Sequence, residues 1–184
     1  MLRSALAPFA NIHDAQFMLA RDGFRHGPAA VREALQQALA ECGPEYQFLH
    51  FDVADFYGSI SHAWLERHLG IDPAVVRHQV HLGQMSINVP GEMATVCATH
   101  KASREGGQWG IPQGSALSCL IAEQVMADVL RSAAVFGEHR AFIWSDNVGV
   151  LVPRHRAGEV AGLVRTAFAD HGVKRTEDLT PWAN

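Results

Sequence analysis

Two aspartates stand where the chain could present paired carboxylates to a metal ion. Asp52 lies near the end of the β-forming run Gln47–Val53, and Asp146 lies in a polar turn between two apolar runs. An acid in either place can project into a cleft rather than a core. If the two strands lie side by side, both carboxylates reach one edge of a sheet. They would then repel each other unless a cation neutralised them.

Mg²⁺ suits such a pair, because it favours carboxylates, water and substrate phosphates. Two such ions about 3.5–4 Å apart can activate an attacking hydroxyl and stabilise a leaving pyrophosphate, which is the chemistry of nucleotidyl transfer. Taken alone, each aspartate is more often a solvated or capping side chain. The inference therefore depends on the joint pattern.

Alternating helices and strands must position these acids. Apolar periodicity and capping residues predict helices over Pro28–Cys42, Ser61–Leu69, Asp72 to about Gln84, Ser115–Ser132 and Ala157–His171. Strand signals predict Gln47–Val53 and a β-hairpin with arms Ala141–Trp144 and Val148–Val152, with turns or breaks at Pro90-Gly91 and Gly106-Gly107. The pattern predicts one α+β domain over residues 1–184, an antiparallel sheet with helices packed on one face.

Several segments resemble the sequence blocks of reverse transcriptases, in the family's order. Phe51–Ile60 resembles motif A, an acid followed four and five residues later by an aromatic pair. Gly110–Ser118 is very similar to motif B, and Trp144–Asn147 takes the place of motif C, usually Tyr-x-Asp-Asp. Gly23–Gly27 resembles the G-F-R-x-G block of group II intron-like enzymes, and His171–Thr176 weakly resembles motif D.

The resemblance implies the palm of a right-hand polymerase. Residues 1–45 would form partial fingers leading into the palm, and residues 46–184 would carry motifs A to D, with fingers and thumb largely missing. The implied activity is that of an RNA-directed DNA polymerase of bacterial or mobile-element type, using Mg²⁺ or Mn²⁺. Its partners would be an RNA template, a DNA primer and deoxynucleoside triphosphates. A protein partner or a further domain would supply the missing fingers and thumb.

The resemblance also assigns roles to individual residues. Asp52, Asp146 and Asn147 would form the catalytic set, and the metal ligands would be the two carboxylates and the backbone carbonyl of Val53. Tyr57 falls at the steric-gate position, where an aromatic ring excludes a ribose 2′-hydroxyl. The other implied contacts to nucleotide or template are Phe56, Gln113 and Gly114, with Arg25 and Lys174 as minor candidates. Ignoring the family, Tyr57 could equally be a core aromatic.

Two features favour a different class of protein, a palm that binds nucleic acid or a protein and catalyses nothing. Motif C ends in Asn147 where the family has a second aspartate, and a neutral amide binds Mg²⁺ less well than a carboxylate. The formal net charge is −4, whereas phosphate-binding proteins usually carry a basic excess. An RNA-templated RNA polymerase is a third alternative, against which Tyr57 argues.

Composition sets the remaining bounds. The 184 residues include 48% hydrophobic residues, but no apolar run reaches the roughly 18 residues of a membrane span. We read no secretory signal. The three widely spaced cysteines suit a reducing cytoplasm rather than a disulfide framework. The pairs His78/His81 and Cys97/His100 have spacings that could suit zinc, although ordinary surface histidines are the commoner case.

Overall fold

The computed structural model describes residues 13–18, 26–70, 72–81, 91, 108–113, 116–171, 173 and 180–181. The helices are α1 (Pro28–Cys42), α2 (Phe56–Ser59), α3 (His62–His68), α4 (Pro73–Gln79), α5 (Ala116–Ser132), α6 (Ala134–Glu138) and α7 (Ala157–Asp170), with a 3-10 turn at Arg154–Arg156. The strands are β1 (Tyr46–Asp52), β2 (Arg140–Trp144), β3 (Asn147–Pro153) and the two-residue β4 (Thr180–Pro181). Among the described residues, none of the helices combines the length and apolar character needed to cross a bilayer.

The strands form one antiparallel sheet in the order β2-β3-β1-β4. β2 and β3 are the arms of the predicted hairpin, and β1 lies beside β3 over its full length. A short segment around Gln16 adds to the outer edge of β2. There Phe17 N–H donates to the Ile143 carbonyl at 3.0 Å, and Ile143 N–H donates to the Ala15 carbonyl at 2.8 Å.

Helices cover both faces of this sheet, so the prediction of helices on one face was wrong. α5 and α7 belong to the main core with Leu49 and Phe51 of β1. α1 packs on the opposite face, in a smaller apolar cluster with Phe48, Phe142 and Leu151. Adjacent residues of a strand point to opposite faces. Because Phe48 and Leu49 are both apolar, each face needs its own cover.

Local signals set most helix boundaries as predicted. α1 begins with Pro28 in its first turn and ends before Gly43, whose φ of 80° a glycine adopts without strain. The Ser61 hydroxyl caps α3 by accepting from Trp64 N–H, and the Asp72 carboxylate caps α4 by accepting from Ala74 N–H at 2.7 Å.

α4 is shorter than predicted, ending at Gln79 rather than near Gln84. Just beyond it, His81 is buried and its ring stacks on that of His62, with centroids 3.8 Å apart. This long-range contact fixes the position of the segment that follows α4. The turn predicted at Pro90-Gly91, apart from Gly91 itself, and the break predicted at Gly106-Gly107 lie outside the described residues.

Candidate functional site

The register of β1 against β3 brings the two predicted aspartates to one edge of the sheet. Asp52 is paired with Asn147, the residue that follows Asp146. Val53 N–H donates to the backbone carbonyl of Asp146 at 3.1 Å, which ties the end of β1 to the hairpin turn. Side chains directly opposite in an antiparallel pair have Cβ atoms about 4.5–5.5 Å apart. The register therefore brings the backbones of Asp52 and Asp146 close together, while a shared carboxylate site and the catalytic role of these residues stay predictions.

The hairpin turn that presents Asp146 is tight. Only Ser145 and Asp146 separate β2 from β3. Ser145 has a φ of 56°, in the left-handed region that residues with a Cβ seldom occupy. Such backbone conformations persist where surrounding contacts hold them, and they concentrate at functional sites. Two-residue hairpins favour positive φ because it matches the twist of the flanking strands.

Asn147 is hydrogen-bonded on both sides of its amide. Its Nδ2 donates to the Asp146 carboxylate at 3.1 Å, and its Oδ1 lies 3.0 Å from Nε2 of His50. Because a carbonyl oxygen only accepts, His50 must carry its proton on Nε2 and donate. All three side chains are half-buried. The amide at the position where the family has a second acid is therefore a connected part of the site.

Tyr57 lies beside the same turn. Its side chain is half-buried, and its hydroxyl lies within interaction range of the Ser145 and Cys119 side chains. Burial raises the pKa of the Tyr57 hydroxyl; Cys119 and Glu123 raise it further, whereas the Ser145 hydrogen bond lowers it. Burial also raises the pKa of the Cys119 thiol, and nearby Glu123 adds to that effect. Both groups are therefore neutral at neutral pH.

Backbone hydrogen bonds join the described part of the motif B segment to the motif A segment. Gly110 N–H donates to the Ile60 carbonyl and Ile111 N–H to the Tyr57 carbonyl, each at 2.8 Å. His62 Nε2–H donates to the Gly110 carbonyl at 2.6 Å. Gly110 has a φ of 91°, which only glycine adopts readily. Gln113, two residues beyond Ile111, is exposed.

Not every predicted site residue is placed at this edge. Phe56, expected to contact the nucleotide, is 2% exposed and packs in the main core, so it is corrected to a core residue. Phe56 is buried and Tyr57 is only half-buried, because successive side chains of α2 point in different directions. Gly114, Arg25 and Lys174 lie outside the described residues.

The residues at this sheet edge carry oxygen donors of the kind that a hard cation prefers, and metal binding there stays a prediction. Asp52 and Asp146 supply two carboxylates, and the Val53 carbonyl is a third oxygen on the same segment. The Asn147 oxygen is already engaged by His50. Within the described ranges, no cluster of three or more His, Cys, Asp and Glu residues could hold a metal ion. Substrate phosphates and water, which Mg²⁺ usually retains, would have to complete its shell.

The histidine pair with zinc-like spacing does not form a site. His78 is exposed on α4, whereas His81 lies beyond the helix and is buried against His62. The two therefore do not lie together on one face of a helix. Cys97 and His100 lie outside the described residues.

Sequence reasoning missed three residues of this site, namely His50, Ser145 and Cys119. A signal for His50 exists, since it lies two residues before Asp52 and alternation puts both on the same face of β1. Cys119 and Ser145 carried no such signal, because their contacts to Tyr57 depend on how α5 and the hairpin pack.

Comparison with known proteins adds a likeness at the level of fold. No protein-family model matches the chain, and no curated protein matches it in sequence. Among solved structures, the chain matches telomerase from Candida albicans, determined in complex with the TWJ fragment of telomeric RNA, with a TM-score of 0.53 and 12% identity. The match covers 100% of this chain and 33% of that one, so the chain spans a third of its neighbour's length.

Proposed function

We propose that this chain is the palm of a reverse transcriptase, adding deoxynucleotides to the 3′ end of a primer on an RNA template. The observation that carries the proposal is the register that sets Asp52 opposite Asn147, next to Asp146, at one sheet edge. The three motif resemblances supply the reaction, and the likeness to a reverse-transcriptase-related enzyme supports the fold.

Asp52 and Asp146 would hold Mg²⁺ or Mn²⁺, with the carbonyl of Val53 as a further ligand. Bound there, the metal would activate the primer 3′-hydroxyl and stabilise charge on the leaving pyrophosphate. The protein's own part is to hold two carboxylates at a fixed separation on a paired strand and a two-residue turn. A rigid element positions such groups better than a loop does.

Tyr57 would select deoxynucleotides. Its hydroxyl lies near the side chain of Ser145, the neighbour of Asp146, which supports a place for the ring beside the acids that would face the triphosphate. A ring in that position would leave no room for a 2′-hydroxyl. Gln113 would contact the template or the incoming nucleotide from the segment that is bonded to the Tyr57 carbonyl through Ile111.

A nucleic-acid- or protein-binding module without catalysis is the second candidate. It is favoured by Asn147, whose oxygen already accepts from His50 and whose nitrogen donates to Asp146. In this arrangement position 147 offers no free carboxylate to a second metal. Fingers and thumb supplied by a partner or a further domain fit either candidate.

Primer extension on poly(rA)/oligo(dT) with Mg²⁺ or Mn²⁺ tests the proposal. We expect the wild type to incorporate dTTP, and Asp52→Asn and Asp146→Asn to abolish incorporation, because each removes a metal-binding charge without changing side-chain size. Asp170→Asn is the matched control, an exposed aspartate at the end of α7. It should leave extension unchanged.

Asn147→Asp separates the two candidates. Extension by the wild type that Asp52→Asn removes establishes a polymerase that works with Asn147. A silent wild type with an active Asn147→Asp variant identifies a disarmed catalytic site. Silence from every variant rejects the polymerase for this chain alone and leaves the binding module.

A further inference from the structure

A chain of side chains on one face of the sheet leads from β1 to the Asp146 carboxylate. His50 and Asp52 share that face of β1, and their partners on β3 are Gly149 and Asn147. His50 and Asn147 are therefore diagonal neighbours, within reach of long side chains. The His50 Nε2 to Asn147 Oδ1 distance is 3.0 Å, and the Asn147 Nδ2 to Asp146 Oδ1 distance is 3.1 Å.

The direction of both hydrogen bonds is set by chemistry. The ionised carboxylate of Asp146 only accepts, so the NH₂ end of the Asn147 amide must face it. The oxygen end then faces His50, which must donate from Nε2. The Asn147 amide therefore donates to Asp146 in the same orientation in which its oxygen accepts from His50. If the amide rotated by 180°, its oxygen would face the carboxylate and its NH₂ group the His50 N–H.

Packing holds the His50 ring in place. It stacks on the ring of Phe48, with centroids 6.1 Å apart and planes inclined by 19°. Phe48 in turn lies over Gly149, where there is no Cβ to displace it. The half-buried imidazole thus has an aromatic wall on one side and a fixed acceptor on the other.

We propose that His50 is a positioning residue that orients the Asp146 carboxylate, through Asn147, for divalent-metal binding. This inference rests on the proposed function, because it takes Asp146 to be a metal ligand. It gives Asn147 a role that a second aspartate could not fill, since a carboxylate has no N–H to donate to Asp146. Hydrogen-bond partners behind a metal ligand typically affect metal affinity or activity by about 10–100-fold when removed.

The test measures Mn²⁺ binding to the protein alone, by water-proton relaxation, beside primer extension. We expect His50→Leu to weaken Mn²⁺ binding about tenfold, at the low end of the range for such partners. The substitution removes the N–H donor, while the leucine side chain still fills the space of the imidazole. His50→Gln should retain near wild-type affinity, because its amide N–H can reach the same acceptor. His155→Leu, at an exposed position on the 3-10 turn, is the matched control. Asp52→Asn shows whether the bound ion is at this edge.

A double-mutant comparison distinguishes a relay from two independent effects. In an Asn147→Ala background, His50→Leu should cause no further loss of Mn²⁺ affinity, because the hydrogen bonds through Asn147 that join His50 to Asp146 are already absent. The Asn147 side-chain amide signals, identified by their absence from Asn147→Ala, should shift in His50→Leu and stay in place in His50→Gln.

Three results would overturn the positioning role. They are unchanged Mn²⁺ affinity in His50→Leu, equal losses in His50→Leu and His50→Gln, or full additivity with Asn147→Ala. A wild type that binds no Mn²⁺ at this edge also overturns it. Failure of the proposed function gives a different pattern, with Mn²⁺ binding that depends on Asp52 and His50 but no primer extension from any variant.

Discussion

Gly149→Ala should destabilise the protein because the new methyl group would clash with the Phe48 ring. A Cβ built on Gly149 would lie 2.2 Å from Cζ and 2.5 Å from Cε2 of Phe48, and 3.3 Å from the Phe142 carbonyl oxygen. Non-bonded carbons prefer about 3.5–4.0 Å, so the Phe48 ring would have to move by more than 1 Å. It is confined by the Phe142 ring, edge-on at 6.3 Å, and by the α1 cluster.

Overpacking of this kind costs about 1–3 kcal/mol. The sign of the change in the free energy of unfolding is informative. In a regular element, replacing glycine by alanine otherwise stabilises the protein by about 0.5–1 kcal/mol. Gly162→Ala supplies the matched control, as Gly162 lies exposed in α7 with no atom within 4 Å of the added Cβ. We expect urea unfolding to show a loss of stability for Gly149→Ala and a gain of about 0.5–1 kcal/mol for Gly162→Ala.

A second substitution tests whether Phe48 is the cause. Phe48→Leu shortens the side chain that the new Cβ would meet, so Gly149→Ala should cost little in that background. The two changes should deviate from additivity by about 1 kcal/mol or more. A Gly149→Ala protein as stable as the wild type, or additive behaviour in the double variant, would refute the packing argument.

Two further stability predictions concern the segment around α3 and α4. The pKa of His81 is lowered to about 4, chiefly by burial and then by His62, with Glu66 opposing and Arg77 adding to the shift. The unfolded chain takes up this proton near pH 6.5 and the folded chain only near pH 4. As the pH is lowered from 6.5 to 4, the free energy of unfolding should therefore decrease, by at most about 3 kcal/mol. His81→Gln should lessen that fall in urea titrations at pH 7, 5.5 and 4, and exposed His78→Gln should not; equal acid sensitivity in both variants would contradict the assignment. Ser61→Ala should lower the free energy of unfolding by about 1 kcal/mol, because Trp64 N–H loses its capping acceptor, and a thermal melt within error of wild type would count against it.

The elements with strong local signals could be predicted from sequence alone. α1 has the predicted bounds, and the hairpin arms differ by one residue at each outer end and at the start of β3. Pro28, Gly43 and Ser61 act within one turn of chain, so their effect can be read without knowledge of the fold. The cover on the second face of the sheet is indicated by Phe48 and Leu49, two apolar neighbours in β1 whose side chains point to opposite faces.

The site was only partly accessible to such reasoning. Asp52 and Asp146 could be paired because both are strand-end acids and because the motif order constrains them. The His50 contact requires the exact register of β1 on β3, which no local pattern fixes. The motif match points to an aromatic pair, Phe56 and Tyr57, but does not indicate which of the two packs in the core. Phe56 is the one that does.

The neutral amide at position 147 also has an electrostatic consequence. A second aspartate there would face Asp52 across the strand pair and adjoin Asp146, so three carboxylates would repel at one edge. A bound cation would relieve that repulsion. Asn147 lowers this repulsion and donates a hydrogen bond to Asp146 instead. We therefore expect Asn147→Asp to reduce stability in the absence of divalent metal and to recover more stability than the wild type when Mg²⁺ or Mn²⁺ is added. Thermal melts with and without metal would show this, and an Asn147→Asp variant as stable as the wild type in metal-free buffer would refute it.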